Sequence, residues 1–405
     1  MFKRIINYSN KYFGLFDLIE GITDLRANPQ ISAADVASSV MSMIFSNLGS
    51  LNKFNQSRDF SYAGNIAVRV PSASTVARAA DTIDLDYLRE ILKSIYLKAK
   101  RSKMIEPFEG RYVGIVDGHE NCSSDIHKCN CCSVRNVSKI EGVVKLNYYH
   151  KYTAFILAGQ KFAFLLDIEP IYPLEGELTS ALRLIDRVCI NYPKAFEAVA
   201  ADGLYLNGAT FKLLESHHKY TIAVLKDETR ELYGEAMSLS SITAPVVYED
   251  EGITYRAWEH TISGLWDGYN KPVRTVRSEE TKTVRHHCQE LGKWDIQEER
   301  AEWMWVTNLP SVVGLKNIIS ACHSRWQIEN KCFNEIVSTW NADHVYRHSG
   351  NAISAFLLFL FIALNIFNIF FARNIKDKRI SSKTLLIDLI KAEYLLSKWI
   401  IPTPV

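Results

Sequence analysis

The chain has 405 residues, 47% of them hydrophobic and 23% charged, with 47 Lys and Arg against 45 Asp and Glu and a net charge of +2. That is a soluble globular profile with material for two or three domains, and it excludes nucleic-acid attraction through bulk charge, so any such surface must come from local clustering. The eight cysteines follow a start, MFKRIINYSN, with no apolar core or small-residue cleavage site, which predicts metal ligands or free thiols and excludes a disulfide framework.

Residues 1–104 read as mainly helical, with apolar spacing at 33–48 and 85–97. Between these, Pro71, Ser72 and Ser74 precede a short helix expected over 75–81. Arg69 precedes that helix and Arg78 lies within it, and Arg89, Lys93, Lys98, Lys100, Arg101 and Lys103 follow it. A short capped helix with basic neighbours suits a DNA groove. A helical bundle with a solvated basic face accounts for the same residues.

After residue 104 the period changes. Strands are expected at 111–116 (RYVGIV), 144–149, 152–158 and 162–168 (FAFLLDI), then a helix at 175–189 with Leu178, Leu182, Ile185 and Val188 on one side. A strand at 196–201, a helix from 211 and a strand at 219–225 (KYTIAVL) follow. With 144–149 and 152–158 counted together as the second strand, three strands, helix, strand, helix, strand is the order of an RNase H-like mixed sheet, so the fold class is α/β. A polar stretch of β character then runs over 227–300, strand returns at 303–308 (WMWVTN), and 312–340 reads as one helix. From 352 to 372 the sequence AISAFLLFLFIALNIFNIFFA carries no charge and is long enough to span a bilayer. It contains Ser354, Asn365 and Asn368 and has Arg347, Arg373 and Lys376 at its flanks, and it is expected to be a buried core helix rather than a membrane span. The division that results is 1–104 helical and DNA-binding, 105–226 first part of the core, 227–300 β-rich insertion, 301–345 second part of the core, and 346–405 helical.

Acids punctuate this order. Asp117 is expected to end the first strand (IVDG) and Asp202 the fourth (VAADGLY), and those two strands are neighbours in an RNase H-like sheet. Arg325 and Glu329 stand one helical turn apart, which offers Glu329 as a third carboxylate. Three carboxylates at close range repel unless a hard divalent cation holds them, and oxygen donors select Mg²⁺ over zinc. Taken singly, each Asp at a strand end is as readily a turn or cap residue. His119 and Glu120 read as loop residues beside the cleft, and Asp167 and Glu169 compete for a metal role from the third strand. Separately, the segment CSSDIHKCNCC supplies Cys122, His127, Cys129 and Cys132 as a candidate zinc set built on one C-x-x-C pair; a thiol-rich loop that binds nothing is the alternative. His286, His287 and Cys288 form a smaller cluster, read as a polar strand of the insertion.

The segments SRWQIENKCFNEI and WNADHVYRHSGNAISAFLLFLFIALNIF, with VDGHE, LLDIEP, ADGLY and WVTNLP before them, resemble the DDE transposases of bacterial insertion sequences. The likeness is to the large fourth family, which has a β-rich insertion before its catalytic glutamate, and it extends from Tyr112 to the C-terminus. It implies an RNase H-like core with Asp117, Asp202 and Glu329 as a triad for two Mg²⁺ (or Mn²⁺) ions, and Arg325 on phosphate. It further implies double-stranded DNA partners, namely terminal inverted repeats and target DNA. A dimer in the synaptic complex, no membrane, and a cytoplasmic, nucleoid-associated bacterial location complete what it implies. The family signature is Tyr, two residues, Arg, three residues, Glu, six residues, Lys. Here Cys322 and Ile336 stand at the Tyr and Lys positions, and Lys331 falls about 200° round a regular helix from Glu329, a poor substitute. An RNase H-like nuclease, or a domesticated DNA-binding protein that no longer cuts, remains open on the same residues.

Overall fold

The computed structural model describes residues 1–58, 69–140, 143–264, 266–288 and 293–400, apart from the side chains of 138–140, 143–144, 286–288, 293–295 and 397–400. The N-terminal helices are α1 (Phe2–Phe13), α2 (Leu15–Glu20), α3 (Ala33–Phe45), α4 (Leu51–Ser57), α5 (Ala73–Ala80) and α6 (Leu85–Arg101). Next come β1 (Val113–Ser124), β2 (Ser133–Ile140), β3 (Val143–Leu157), β4 (Phe164–Ile171), α7 (Glu177–Asn191), β5 (Ala198–Ala201), α8 (Gly208–Ser216) and β6 (Tyr220–Val224). They are followed by α9 (Glu231–Ile242), β7 (Val246–Asp250), β8 (Ile253–Ile262), β9 (Val273–Cys288) and β10 (Lys293–Thr307). The chain closes with α10 (Leu315–His323), α11 (Asn334–Ser338), α12 (Gly350–Asn374) and α13 (Lys383–Ile400). These elements gather into two compact units, Met1–Pro107 with Gly118–Asn191 and Gln327–Val405, and Phe108–Asp117 with Tyr192–Trp326.

In the first unit β3 is the organising strand. Its early residues pair antiparallel with β2 and its later residues with β4, and β1 is also its neighbour. In the second unit β1, β5 and β6 run parallel, and β10, β9, β8 and β7 continue the order antiparallel. Unit by unit, these are the 3-2-1 and 1-4-5 strand orders of an RNase H-like sheet, with the insertion carried as extra strands.

Several boundaries differ from the sequence reading. The two strands expected at 144–149 and 152–158 are one strand, β3; the polar His150–Lys151 step that suggested a break is where its partner changes from β2 to β4. Strand β2 was not expected, because SVRNVSKI is polar and hydrophobic alternation barely registers in it. Strand β1 runs on to Ser124 through polar residues, so Asp117 lies inside it and not at its end. The stretch 227–300 also holds a helix, α9, whose Gly and serines mask helical period. The helix expected over 312–340 is broken into α10, a 3₁₀ turn (Ser324–Trp326), a π-turn (Glu329–Phe333) and α11.

The uncharged helix α12 is the centre of the first unit. Ser349 caps it by accepting from the Ala352 N–H, and it packs against α1, α3, α5, α6 and β4. Its most apolar stretch is long and hydrophobic enough to cross a membrane, yet 89% of it is buried inside the protein. A helix apolar on all sides is what such a position requires. The buried Asn365 is explained by β4: its amide donates to the Leu165 carbonyl at 2.8 Å and accepts from the Leu165 N–H at 2.9 Å. The side chain thus stands in for a strand partner and fixes the register of helix on sheet. Asn365→Leu should destabilise the protein by about 2 kcal/mol, because both Leu165 backbone groups lose their partner. Urea midpoints of the two proteins check this; an unchanged midpoint would mean that water replaces the amide.

Candidate active site

Strand register brings the first two acids together. Val113, Gly114 and Ile115 of β1 pair with Ala198, Val199 and Ala200 of β5. Asp117 and Asp202 each lie two residues further along, at matching positions on neighbouring parallel strands. Such strands are about 4.8 Å apart, and alternation sends both side chains to one face. Asp202 directly follows β5 and caps the short turn Gly203–Tyr205, its carboxylate accepting from the Gly203 N–H at 2.7 Å. The cap reading and the site reading of this residue are therefore compatible.

Two cations address these carboxylates. Arg325, itself buried, places Nη1 3.6 Å from Asp117 Oδ2. Lys226, just past β6, places Nζ 2.8 Å from Asp202 Oδ1. Burial pushes the Asp202 carboxyl up, but the Lys226 and Gly203 hydrogen bonds and the Lys226 and Arg325 charges outweigh it and hold the group below its ordinary range. Lys226 was missed by the sequence reading; its one signal is its place at the end of the strand beside Asp202's strand. Both carboxylates keep partial solvent exposure. The donors are oxygens only, and that set suits Mg²⁺, which keeps several waters, and not zinc.

Glu329 lies in the other unit, exposed, as the first residue of the π-turn. Irregular turns of this kind occur often at functional sites. Arg325 and Glu329 do not lie in one regular α-helix as expected: Arg325 is in a 3₁₀ turn and Glu329 begins a π-turn. Cys322 and Ile336 are both buried, so neither side chain takes the place of a phosphate-gripping Tyr or Lys. Lys331 is spent on the carbonyls of Gly159 and Gln160, at 3.2 and 3.3 Å.

His119 and Glu120 are strand residues of β1, not loop residues. His119 stacks on Phe333 of the π-turn with ring centroids 4.4 Å apart, and burial lowers its pKa against the raising charges of Asp343 and Glu120. Glu120 forms a two-pronged pair with Arg135 of β2. A Cβ at Gly118 would meet the carboxylate of Glu177, an acid the sequence reading did not single out. Asp167 and Glu169 are committed elsewhere. Asp167 binds Arg89 at 3.1 Å and Arg187 at 2.7 Å, while Glu169 binds Arg183 at 3.0 Å and Arg187 at 2.6 Å.

Around the expected DNA helix, α5 spans Ala73–Ala80, with Ser72 capping it through Thr75 N–H. Its apolar side (Val76, Ala79, Ala80) is buried and Arg78 is exposed. The Arg69 guanidinium donates to the Gln30 carbonyl at 3.1 Å. In the insertion, Arg256, Lys271, Arg274 and Arg277 each bind a carboxylate, and Arg274 is buried against the carbonyls of Leu309, Pro310 and Val313 as well. Of the candidate zinc ligands, Cys129 and Cys132 come together, but their close neighbours are His150 and His348, not Cys122 and His127. Cys122 is buried, and burial pushes its thiol up to about 12. The side chains of His286, His287 and Cys288 lie outside the described residues.

Comparison with known proteins gives one family. The family model described as "Transposase DDE domain" matches residues 148–366, more than half of the chain. The matched span contains Asp202, Arg325 and Glu329 and begins beyond Asp117. No curated protein sequence matches the chain. A solved structure described as "Cryo-EM structure of piggyBac transposase synaptic complex with hairpin DNA" is similar over 99% of this chain and 82% of that one, at 11% identity and a TM-score of 0.45.

Proposed function

Since the chain belongs to the DDE transposase family, we propose that it binds the ends of a mobile element and carries out DNA cleavage and strand transfer at Asp117, Asp202 and Glu329. The observation that carries this reading is the register-matched pair of Asp117 and Asp202 with Arg325 beside it. The two aspartates and Glu329 would hold Mg²⁺ or Mn²⁺. When bound, a pair of such ions activates an attacking water or 3′-hydroxyl and stabilises the leaving oxygen of a phosphodiester. Arg325 offers a planar fork suited to two phosphate oxygens, and Lys226 adds positive charge on the same side of the sheet. With Cys322 and Ile336 buried, the grip on the cut end rests on Arg325 more than in relatives carrying the full signature.

In this reading 1–104 recognises the element's ends, 105–226 and 301–345 form the catalytic core, 227–300 is the insertion, and 346–405 supports the fold. The protein acts on DNA in the cytoplasm, as a dimer when two ends are paired. The test is incubation of the purified protein with Mg²⁺ and DNA carrying the flanks of its coding sequence. Discrete nicks or breaks at the element boundary support the proposal; intact DNA at every divalent metal tried sinks it.

End recognition has its own test. Phosphate contacts position a protein, while base contacts specify the sequence. Arg78 on the exposed side of α5 and Arg69 just before it are the proposed contacts. Replacing both by Ala should weaken end binding and reduce the salt slope by about one per lost phosphate contact. If one of them reads a base edge, discrimination against scrambled DNA should also fall by about 1–3 kcal/mol. Equal binding by the double variant and its parent would exclude α5. The insertion is a weak fallback, because Arg256, Lys271, Arg274 and Arg277 are each already ion-paired.

A further inference from the structure

Four side chains from three distant segments of the first unit converge on one point. Cys129 and Cys132 come from the turn between β1 and β2, His150 from the middle of β3, and His348 from the residue before the cap of α12. The two sulfurs are 3.7 Å apart. His150 Nε2 lies 3.4 Å from Cys129 Sγ and 3.3 Å from Cys132 Sγ, and His348 Nε2 lies 2.9 Å from Cys132 Sγ. Zinc bonds of about 2.3 Å to sulfur and about 2.0–2.1 Å to nitrogen set tetrahedral edges of roughly 3.8 Å between sulfurs and roughly 3.5 Å from sulfur to nitrogen. The observed separations match these edges closely, with His348 somewhat tight.

We propose that Cys129, Cys132, His150 and His348 form a structural zinc site that fastens the β1–β2 turn and β3 to the N-terminus of α12. Two thiolates and two imidazoles select zinc over the hard cations of carboxylate sites. Four protein ligands fill a tetrahedron and leave no open position, which is the mark of a structural and not a catalytic zinc. The junction is tied on its other side without metal: Arg347 and Ser349, flanking His348, both bind Asp81 at the end of α5, at 2.7 and 2.6 Å. A zinc there closes a loop of more than two hundred residues between Cys132 and His348, and it fixes the entry of the longest buried helix. Cys131, inside the C-x-x-C pair, faces Gly350 instead and is not a ligand.

The experiment uses the full chain purified without chelator. Elemental analysis should find about one zinc per chain. Removing it with a strong chelator should make two thiols newly reactive and lower the melting temperature, and Co²⁺ added back should give the intense ligand-field bands of a tetrahedral S₂N₂ site. Cys132→Ser and His348→Ala should lose the metal, while Cys122→Ser and His127→Ala should keep it. If the first two variants fail to fold, the chelation and cobalt measurements on the unaltered protein decide. Absence of zinc together with absence of tetrahedral cobalt bands overturns the site. Metal lost from the Cys122 or His127 variant but kept in that of His348 overturns the ligand assignment.

Discussion

Asp117→Asn and Asp202→Asn should each slow DNA cleavage by about a thousand-fold or more while the protein remains folded, and Glu329→Gln should do the same. Each exchange removes one negative charge from a group proposed to hold a divalent ion, and mutations of that kind cost several kcal/mol of transition-state stabilisation. Folding should survive for reasons visible in the structure. Asn is as good a cap as Asp, so the Gly203 N–H keeps its acceptor at position 202. In Asp117→Asn the amide has nearly the shape of the carboxylate it replaces inside β1, and Glu329 is exposed. The measurement is a single-turnover cleavage assay on labelled end DNA, with melting curves as the folding control. A variant that cuts at near the parental rate removes its residue from the site. Because Glu329 sits in a different unit from the aspartates, its variant is the most informative of the three.

The largest loss of stability is expected from Arg187→Met. Arg187 reaches Asp167, Glu169 and the Ile168 carbonyl, and Asp167 is almost wholly buried. Taking away one partner of a buried ion network leaves a carboxylate without full compensation, which costs about 3–5 kcal/mol. The Arg89 contact to Asp167 and the Arg183 contact to Glu169 remain, so the lower end of that range is expected. Urea unfolding of the two proteins measures it. Restoring stability by pairing Arg187→Met with Asp167→Leu would identify the stranded charge as the cause; no rescue would point to lost packing of the arginine stem.

The neighbouring strands that carry Asp117 and Asp202 were legible because strand order is written in local hydrophobic pattern; that Asp117 lies within β1 rather than at its end was not, because the strand continues through polar residues. The apolar run in α12 was legible as core for the same reason, and Asn365 inside it turned out to be a hydrogen-bonding partner of β4. What local pattern does not contain is pairing across long chain distance. His150 sits mid-strand and His348 about two hundred residues further on, so neither could be joined to Cys129 and Cys132 by spacing, whereas Cys122 and His127 were near in sequence and far less well placed. Polar strands escaped too, β2 and the second half of β1 among them, since their hydrogen bonds need no apolar side chains. The pitch change between Arg325 and Glu329 has no sequence signature that periodicity detects.

Strand β10 has fifteen residues, roughly 50 Å of extended chain. Its last three pair with β6 beside Lys226, and its whole length pairs with β9. The insertion therefore re-enters the core with no joint: it is the outward continuation of a core strand, bonded rung by rung from Arg274–Thr307 to Cys288–Lys293. A ribbon of this kind behaves as a ruler with a two-residue graduation. Shortening both strands by two residues at the tip returns every remaining side chain to its own face, but shortening one strand by a single residue turns the rest over. In this chain a change of even length is thus accommodated with the pairing at β6 undisturbed, while an odd change has to be absorbed by a bulge before it reaches the core.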